Sequence, residues 1–234
     1  MKAMILAAGR GERMRPVTDR IPKPLIEAGG KPLIAWHLER LAGAGLREVV
    51  INVAHLGEQI ERRLRGGEDF GVSIAYSREP EPLETAGGIA HARALLGDAP
   101  FLLLNADVYT EYDPARLLAH RLEARLAHLV LVPNPAFRAQ GDFSLRDGRV
   151  GDESLPRYTY AGIALLAPAL VAHLGPLSKA PLAPLLRAAA ARGLVSGELY
   201  EGLWRDIGTA ERLAELRSLL RARANAAPGE TEAQ

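Results

Sequence analysis

A glycine-containing loop directly after the first apolar strand places the strongest constraint on how this chain can fold. Residues 3–6 are an apolar run that predicts a buried strand. The residues that follow it are small: Ala7, Ala8, Gly9 and Gly11. Such a loop leaves its amide N–H groups open to phosphate. The next positions add four cations on a proline-restricted backbone: Arg10, Arg13, Arg15 and Lys23.

The spacing of the glycines separates this loop from two common nucleotide-binding motifs. A dinucleotide-binding fingerprint needs a third glycine where this chain has Met14, and Pro16 would interrupt the helix that should follow. A Walker A loop ends in Gly-Lys-Ser or Gly-Lys-Thr, which this sequence lacks. An NAD(P)-dependent oxidoreductase is therefore disfavoured. A glycine-rich surface turn with solvated charges is the remaining structural alternative.

The order of predicted elements indicates an α/β fold. Strands and helices alternate up to about residue 135, which predicts a Rossmann-like, doubly wound and mostly parallel sheet. Residues 136–224 follow without a linker-like stretch, so we expect a smaller substrate lobe on the same sheet. The expected organisation is one domain over residues 1–224, with residues 225–234 as a polar, disordered tail.

Composition excludes several classes of function. The 234 residues carry 29 basic and 28 acidic side chains, and a net charge of +1 is too small to attract nucleic acid or a membrane surface. The chain has no cysteine, which excludes disulfides and thiolate metal sites. No apolar run approaches the roughly 18 residues of a membrane span. We therefore expect a soluble cytoplasmic protein with no nucleic-acid or membrane partner.

Two carboxylates far apart in the sequence complete the candidate site. Asp107 follows a very apolar run and should lie at the carboxyl end of a buried strand, where open α/β sheets bind ligands. Asp206 precedes a predicted helix that begins near Thr209. Each could instead be an ordinary turn or helix-initiating residue. Beside a phosphate loop, however, such a pair could bind Mg²⁺, which takes one or two carboxylates together with substrate phosphate oxygens.

These motifs together resemble the sugar-1-phosphate nucleotidyltransferases, over most of the chain from about Met1 to Leu220. The resemblance implies a GT-A-like fold with a small sugar-binding lobe. It also implies that Asp107 and Asp206 hold Mg²⁺, that Arg13 contacts the triphosphate, and that Lys23 bridges the α-phosphate and the sugar phosphate. Asp107, Arg13 and Lys23 are therefore the expected catalytic residues.

The resemblance also implies two sets of binding residues. The nucleotide would be bound by Leu6, Ala7, Ala8, Gly9, Gly11, Thr85, Ala86 and Gly87. The sugar would be bound by Asn105, Gly141, Glu153, Tyr160 and Gly162. Alternatives stay open for three of these regions: an ordinary helix start near Gly87, a β-bulge at Gly141, and a turn cap at Asn105.

The expected reaction joins a sugar 1-phosphate to UTP and releases pyrophosphate. N-acetylmuramate 1-phosphate is the sugar expected from the resemblance, with a role in peptidoglycan recycling and a monomeric or weakly oligomeric enzyme. Larger relatives carry a Glu-Lys pair in the sugar lobe, where this chain offers Glu153 and Arg157. The alternatives are a mannose-1-phosphate guanylyltransferase and an inactive regulatory module on the same fold.

Overall fold

The strands of the protein follow the predicted alternation. The structure is a computed structural model that describes residues 1–151 and 156–226. The strands in these residues are β1 (Ala3–Leu6), β2 (Glu27–Ala28), β3 (Lys31–Pro32), β4 (Glu48–Val53), β5 (Ser73–Arg78), β6 (Phe101–Asn105), β7 (Val108–Thr110), β8 (Ala127–Val132), β9 (Phe143–Arg146), β10 (Arg149–Gly151), β11 (Arg157–Leu166), β12 (Val195–Leu199) and β13 (Trp204–Asp206).

The α-helices lie between these strands and after the last of them. They are α1 (Leu33–Gly43), α2 (Gly57–Leu64), α3 (Glu84–His91), α4 (Arg93–Leu96), α5 (Ala115–Ala119), α6 (Leu182–Ala191) and α7 (Ala210–Ala226). Three short 3-10 turns, Glu12–Met14, Val17–Asp19 and Lys23–Leu25, lie in the proline-rich stretch after β1. The prolines there have no amide hydrogen to donate, which prevents a continuous helix.

One sheet carries both halves of the chain, in the order β5-β4-β1-β6-β11-β8-β12-β10-β9. Strands β5, β4, β1 and β6 are parallel neighbours, as the sequence predicts. Strand β11 enters antiparallel between β6 and β8, and β12 is parallel to β8. The start of β11 therefore lies at the same edge as the carboxyl ends of β1 and β6. The doubly wound α/β fold is confirmed, and the sheet is mixed because β11 and β10 run antiparallel to their neighbours.

Both faces of the sheet are covered, which explains the continuous apolar strands. On β1, Ile5 faces the cluster that contains α1 and α2, whereas Met4 faces the cluster that contains α3 and α6. Both side chains have no exposed surface. A strand buried on both faces must be apolar at every position rather than at alternate ones.

Helix α7 packs against the segment that follows β1. Its apolar residues Leu213, Leu216 and Leu220 pack in a third cluster with Met14 and Leu33, which follow β1. This packing holds the segment before α7, which contains Asp206, beside the loop that follows β1. The predicted tail begins too early, because α7 extends to Ala226; residues 227–234 lie outside the described residues. Among the described helices, none has the length and apolarity needed to span a membrane.

Burial of His37 on α1 makes stability depend on pH. Burial lowers the pKa of His37 to about 4, against about 6.5 in an unfolded chain. Between these values the unfolded chain binds a proton that the folded protein does not, so the free energy of unfolding decreases as pH falls from 6.5 to about 4. In a His37→Leu variant, the slope of the unfolding free energy against pH should be smaller by the contribution of about one bound proton. Urea unfolding between pH 4.5 and 7.5 would measure this slope.

Two comparisons make the His37 measurement specific. An exposed histidine, His173, provides the control, and His173→Gln should leave the slope as in the parent. His128 is also buried, and burial lowers its pKa to about 4, so part of the slope should persist in His37→Leu. Equal slopes in His37→Leu and the parent protein would contradict the prediction.

Candidate active site

A cavity of about 800 Å³ opens at the carboxyl edge of β1 and β6. The residues after β1 form one wall of it: Leu6, Ala7, Ala8, Gly9 and Gly11. Five further predicted site residues also line the cavity: Arg13, Lys23, Thr85, Asn105 and Asp107. The cavity thus brings together residues from both the glycine-containing loop and the end of the central strand. Its volume lies within the usual range for small-molecule sites.

Two buried polar side chains hold the loop after β1 in place. The Ala7 amide donates to Asn52 Oδ1 at the end of β4 (2.8 Å). Thr18 Oγ1 donates to the Gly11 carbonyl (2.9 Å). Gly11 has a φ of 65°, and a Cβ there would lie 2.9 Å from Thr18 Cγ2. A side chain is therefore excluded at Gly11 by both conformation and packing. At Gly9, by contrast, no atom lies within 4 Å of a Cβ position, which leaves the loop open to a ligand.

Lys23 is a nearly buried cation at the floor of the cavity. It begins the 3-10 turn Lys23–Leu25, between Pro22 and Pro24, and is 8% exposed. Its Nζ donates to Asp107 Oδ2 at 2.5 Å. A lysine held by two prolines loses little freedom when it binds an anion. Lys23 and Asp107, both predicted from the sequence, thus form one ion pair.

Asp206 lies beside Asp107 because β13 pairs with β7. Asp206 is opposite Val108 in this antiparallel ladder, and the Ile207 amide donates to the Asp107 carbonyl (2.8 Å). Arg212 Nη1 lies 3.1 Å from Asp206 Oδ1. Within the described part of the chain, that oxygen is buried and accepts no hydrogen bond. Asp206 Oδ1 is thus held by the charge of Arg212 rather than by a hydrogen bond, and a buried carboxylate near positive groups is suited to binding a cation together with substrate.

The donor set suits a metal that is shared with substrate. Among residues 1–151 and 156–226, no group of three or more His, Cys, Asp or Glu side chains could hold a metal ion. Two carboxylates, Asp107 and Asp206, match the way Mg²⁺ is held, by few protein ligands together with phosphate oxygens and water. The residues therefore fit a divalent cation that binds together with a nucleotide.

Arg13, which follows the loop after β1, also approaches Asp206. A Cβ on Gly208 would lie 2.8 Å from both Arg13 Nη2 and Asp206 Oδ1. Arg13 and Asp206 therefore approach each other over a position where only glycine fits. This places a positive guanidinium near the Asp206 carboxylate.

A buried network that the sequence reasoning missed connects the loop to the start of α3. Asn52 Nδ2 donates to Glu79 Oε1 (2.6 Å), and Glu79 Oε2 accepts from the Leu83 amide (2.9 Å). Both side chains are buried, at 3% and 6% exposure. Asn52 is a polar residue near the end of an otherwise apolar strand, the same signal that revealed Asp107. The cavity is also lined by Glu81, Glu84 and Lys179, which were not among the predicted site residues.

Because Gly88 has no side chain, it leaves space for the hydrogen bond between Asn52 and Glu79. A Cβ at Gly88 would lie 2.6 Å from Glu79 Oε1 and 2.8 Å from Asn52 Nδ2. We expect Gly88→Ala to destabilise the protein by about 1–3 kcal/mol, because it disrupts buried hydrogen bonds, and to raise the KM for nucleotide. Thermal unfolding and initial rates would measure these effects.

Gly43 provides the matched control for Gly88. It lies at the end of α1, with nothing within 4 Å of a Cβ position. Gly43→Ala should therefore be neutral or stabilise the helix by about 0.5–1 kcal/mol. Equal stability of the two variants would rule out the proposed role of Gly88.

The amides of Ala86 and Gly87 point away from the cavity. Both donate to the Ala180 carbonyl, at 2.9 and 3.1 Å. A Cβ at Gly87 would lie 2.1 Å from the Ser178 carbonyl oxygen. Neither residue lines the cavity, whereas Thr85 does. The first turn of α3 is thus bound to the segment before α6, and of the three residues expected to contact the base, Thr85 alone reaches the pocket.

The predicted sugar residues group around the start of β11. Gly162, with a φ of 73°, lies against Asn105, whose Nδ2 would be 2.7 Å from a Cβ on Gly162. A Cβ on Gly141 would meet Asn134 Oδ1 (2.8 Å) and the Tyr158 amide (2.9 Å), so this glycine serves packing of the loop against β11. Burial raises the pKa of Tyr160. Glu153 lies outside the described residues.

The site combines a glycine-containing loop that can bind phosphate with a buried lysine and two carboxylates. All of them lie at the edge of a doubly wound sheet. This combination is typical of nucleotide-binding proteins that catalyse phosphoryl transfer. The sequence comparison agrees with this class. The chain belongs to the nucleotidyl transferase family, which residues 2–140 match.

Relatives at the sequence level cover nearly the whole chain. An N-acetylmuramate alpha-1-phosphate uridylyltransferase of Neisseria meningitidis serogroup B is 51% identical, over 94% of this chain and 98% of its own. A protein of the same name from Caulobacter vibrioides is 36% identical, over 88% and 91%. The catalytic subunit beta of a mannose-1-phosphate guanylyltransferase from Danio rerio is 32% identical, over 89% of this chain and 61% of its own.

Solved structures support the fold. HddC from Yersinia pseudotuberculosis, complexed with GMP-PN, superposes with a TM-score of 0.76 at 21% identity, over 93% of this chain and 98% of the other. A UDP-glucose pyrophosphorylase complexed with UDP-glucose gives 0.75 at 19% identity, over 95% and 98%. The predicted family and the nucleotide-diphospho-sugar transferase fold are therefore confirmed.

Proposed function

We propose that the protein joins N-acetylmuramate 1-phosphate to UTP, forming UDP-N-acetylmuramate and pyrophosphate. The observation that carries this proposal is the Lys23–Asp107 ion pair beside the glycine-containing loop, with Asp206 on the neighbouring strand β13. The 51% identity to the uridylyltransferase of Neisseria meningitidis, over nearly all of both chains, supports the choice of nucleotide and sugar.

The reaction needs positioning and charge neutralisation more than it needs a protein nucleophile. An oxygen of the sugar 1-phosphate forms a bond to the α-phosphorus of UTP. The bond from that phosphorus to the bridging oxygen of the β-phosphate breaks, and pyrophosphate leaves with the electron pair. The attacking oxygen is already an anion, so no general base is required. The barrier lies in bringing two anions into line.

Lys23 and Arg13 supply the fixed positive charges in this proposal. Lys23, at the floor of the cavity, would contact both the α-phosphate and the incoming sugar phosphate. Arg13, above Gly208, would contact the triphosphate and the leaving pyrophosphate. Because both groups are held before substrate binds, they stabilise charge without reorganisation in the transition state.

Asp107 and Asp206 would hold a divalent cation, for which we propose Mg²⁺. When bound, Mg²⁺ neutralises phosphate oxygens and polarises the α-phosphorus. In the structure these carboxylates face Lys23 and Arg212. Positive side chains therefore already balance the charge of both carboxylates, which holds the carboxylates in place before a nucleotide binds.

We further propose roles for residues at the two ends of the cavity. The amides from Ala7 to Gly11 would bind phosphates and ribose, and Thr85 would lie beside the base. Asn105 and Gly162 would line the sugar end. A role in peptidoglycan recycling and a cytoplasmic location follow from the proposed substrate, and the oligomeric state stays a prediction.

A matrix of pyrophosphate release tests the proposal. UTP, GTP, dTTP, CTP and ATP would each be paired with the 1-phosphates of N-acetylmuramate, N-acetylglucosamine, glucose and mannose, with Mg²⁺ present. Strong turnover confined to UTP with N-acetylmuramate 1-phosphate is the expected result. A dominant signal from GTP with mannose 1-phosphate would favour the guanylyltransferase alternative. Nucleotide binding without turnover on any sugar would favour an inactive module.

A further inference from the structure

Two side chains near the start of α2 contact the second half of the loop that follows β1. His55 Nε2 lies 3.1 Å from the Thr18 carbonyl oxygen. Because a carbonyl oxygen can only accept, this ring nitrogen carries the hydrogen. Gln59 Nε2 donates to the Arg20 carbonyl (3.0 Å). Both contacts join segments that lie far apart in the sequence, so α2 holds a loop that carries residues of the candidate site.

The second half of the loop has little apolar packing of its own. Among residues 15–21, all of which the structure describes, Thr18 alone is buried, at 1% exposure. Val17 and Ile21 are apolar, yet they are 46% and 43% exposed. Apolar burial therefore contributes little to fixing this segment. Its position depends on the hydrogen bonds that neighbouring elements supply.

Thr18 connects this segment to the floor of the cavity. Its Oγ1 donates to the Gly11 carbonyl (2.9 Å). Gly11 lies between Thr18 and Lys23, since a Cβ at Gly11 would be 2.9 Å from Thr18 Cγ2 and 3.3 Å from Lys23 Cβ. A displacement of Thr18 would therefore shift both the Gly11 backbone and the base of the Lys23 side chain.

The turn that carries His55 is itself constrained. Leu56 has a φ of 54° although it is not glycine. The Gly57 amide donates to the Ala54 carbonyl (3.1 Å), and a Cβ on Gly57 would lie 2.9 Å from Val53 Cβ. Backbone in such a conformation persists where its surroundings hold it, and it is frequent at functional sites. The compact turn fixes the backbone of His55 against the loop.

We propose that His55 and Gln59 are positioning residues for the nucleotide-binding loop. Through two backbone carbonyls they hold the loop amides and Lys23 in the arrangement that binds a triphosphate. The inner side of the loop stays free for the ligand, because no atom lies within 4 Å of a Cβ position at Gly9. This inference rests on the proposed function in one respect, that the loop binds the phosphates of a nucleotide.

Kinetics separate this role from a general effect on folding. We expect His55→Leu to raise the KM for UTP by about 5–10-fold, the effect of one lost hydrogen bond, and to leave the KM for the sugar 1-phosphate unchanged. His55→Gln keeps an N–H donor at a similar reach and should restore most of the UTP affinity. Gln59→Met removes the second donor and should raise the same KM, which provides a second variant should His55→Leu fail to fold.

An exposed histidine outside the cavity, His173, supplies the matched control. His173→Leu should keep the parent KM for both substrates. Equal increases of both KM values in His55→Leu, without rescue in His55→Gln, would overturn the inference, because such a loss would reflect general destabilisation.

Limited proteolysis tests the loop without a sugar and without turnover. Trypsin cuts after arginine but not before proline, so Arg10, Arg13 and Arg20 report on the loop, whereas Arg15 precedes Pro16 and does not. The three reporters are exposed. Cleavage of a native protein follows the population of its open form when opening is fast, so the initial cleavage rate measures how firmly the loop is held.

In His55→Leu, cleavage at these three arginines should be about 5–10-fold faster than in the parent, and saturating UTP should slow it in both proteins. Parental rates of loop cleavage together with a parental KM for UTP would overturn the inference. Faster loop cleavage, in a protein whose parent shows no turnover with N-acetylmuramate 1-phosphate, would support the positioning role and overturn the proposed substrate. Absence of UTP protection in the parent would overturn the loop as the nucleotide site, and the inference with it.

Discussion

Replacing Lys23 by alanine is expected to lower turnover by about 10²–10³-fold, the loss that follows removal of one preorganised electrostatic contact. Lys23 is nearly buried and lies 2.5 Å from Asp107, so water cannot replace its charge at the same position. Lys23→Arg should not restore the rate, because a larger planar group does not fit the space of a compact ammonium. The measurement is the initial rate of pyrophosphate release at saturating substrates.

Lys31 provides the matched control for Lys23. Its Nζ pairs with Glu39 at the surface and lies 3.8 Å from the centre of the Trp36 ring, away from the cavity. Lys31→Ala should keep a rate within about twofold of the parent, because exposed ion pairs contribute little. A near-native rate for Lys23→Ala in folded protein would remove Lys23 from the mechanism.

Asp107→Asn and Asp206→Asn are each expected to lower turnover by about 10²–10³-fold, since each removes a negative charge but keeps the shape of the side chain. Both should also weaken binding of Mn²⁺, used as a spectroscopic substitute for Mg²⁺, in the presence of UTP. Free Mn²⁺ measured by electron paramagnetic resonance gives this affinity without reference to activity. The two carboxylates lie on adjacent segments, so the double variant should lose less than the product of the single effects.

Asp113 gives a control with the same chemical change. Its Oδ1 accepts from the Ala115 amide (2.9 Å) at the start of α5. Asparagine serves as well as aspartate at such a position, so Asp113→Asn should leave both the rate and Mn²⁺ binding unchanged. Undiminished Mn²⁺ affinity in both site variants would exclude the carboxylate pair as the metal site.

Local sequence patterns predicted a large part of the fold. The run from Phe101 to Asn105 is apolar at nearly every position, which is what a strand covered on both faces requires. Asp113-Pro114 stands at the start of α5, where aspartate accepts an amide hydrogen and proline needs none. These signals depend on residues a few positions apart.

Part of the candidate site could be identified in the same way. The loop after β1 and Asp107 each follow an apolar strand, and the cavity lies where those strands end. Asn52 follows the same rule and was missed, although it accepts from the Ala7 amide. Glu79 could not be identified, because its burial depends on Asn52 and on the Leu83 amide.

The sequence by itself determined the types of the elements, the small residues of the loop and the charges available to the site. The tertiary structure decided which of these groups meet. The β13–β7 pairing brings Asp206 beside Asp107, and the insertion of β11 between β6 and β8 brings Gly162 against Asn105. Side-chain periodicity reports the neighbours along one strand or helix. Contacts between distant segments depend on the packing of the whole chain, which no local pattern encodes.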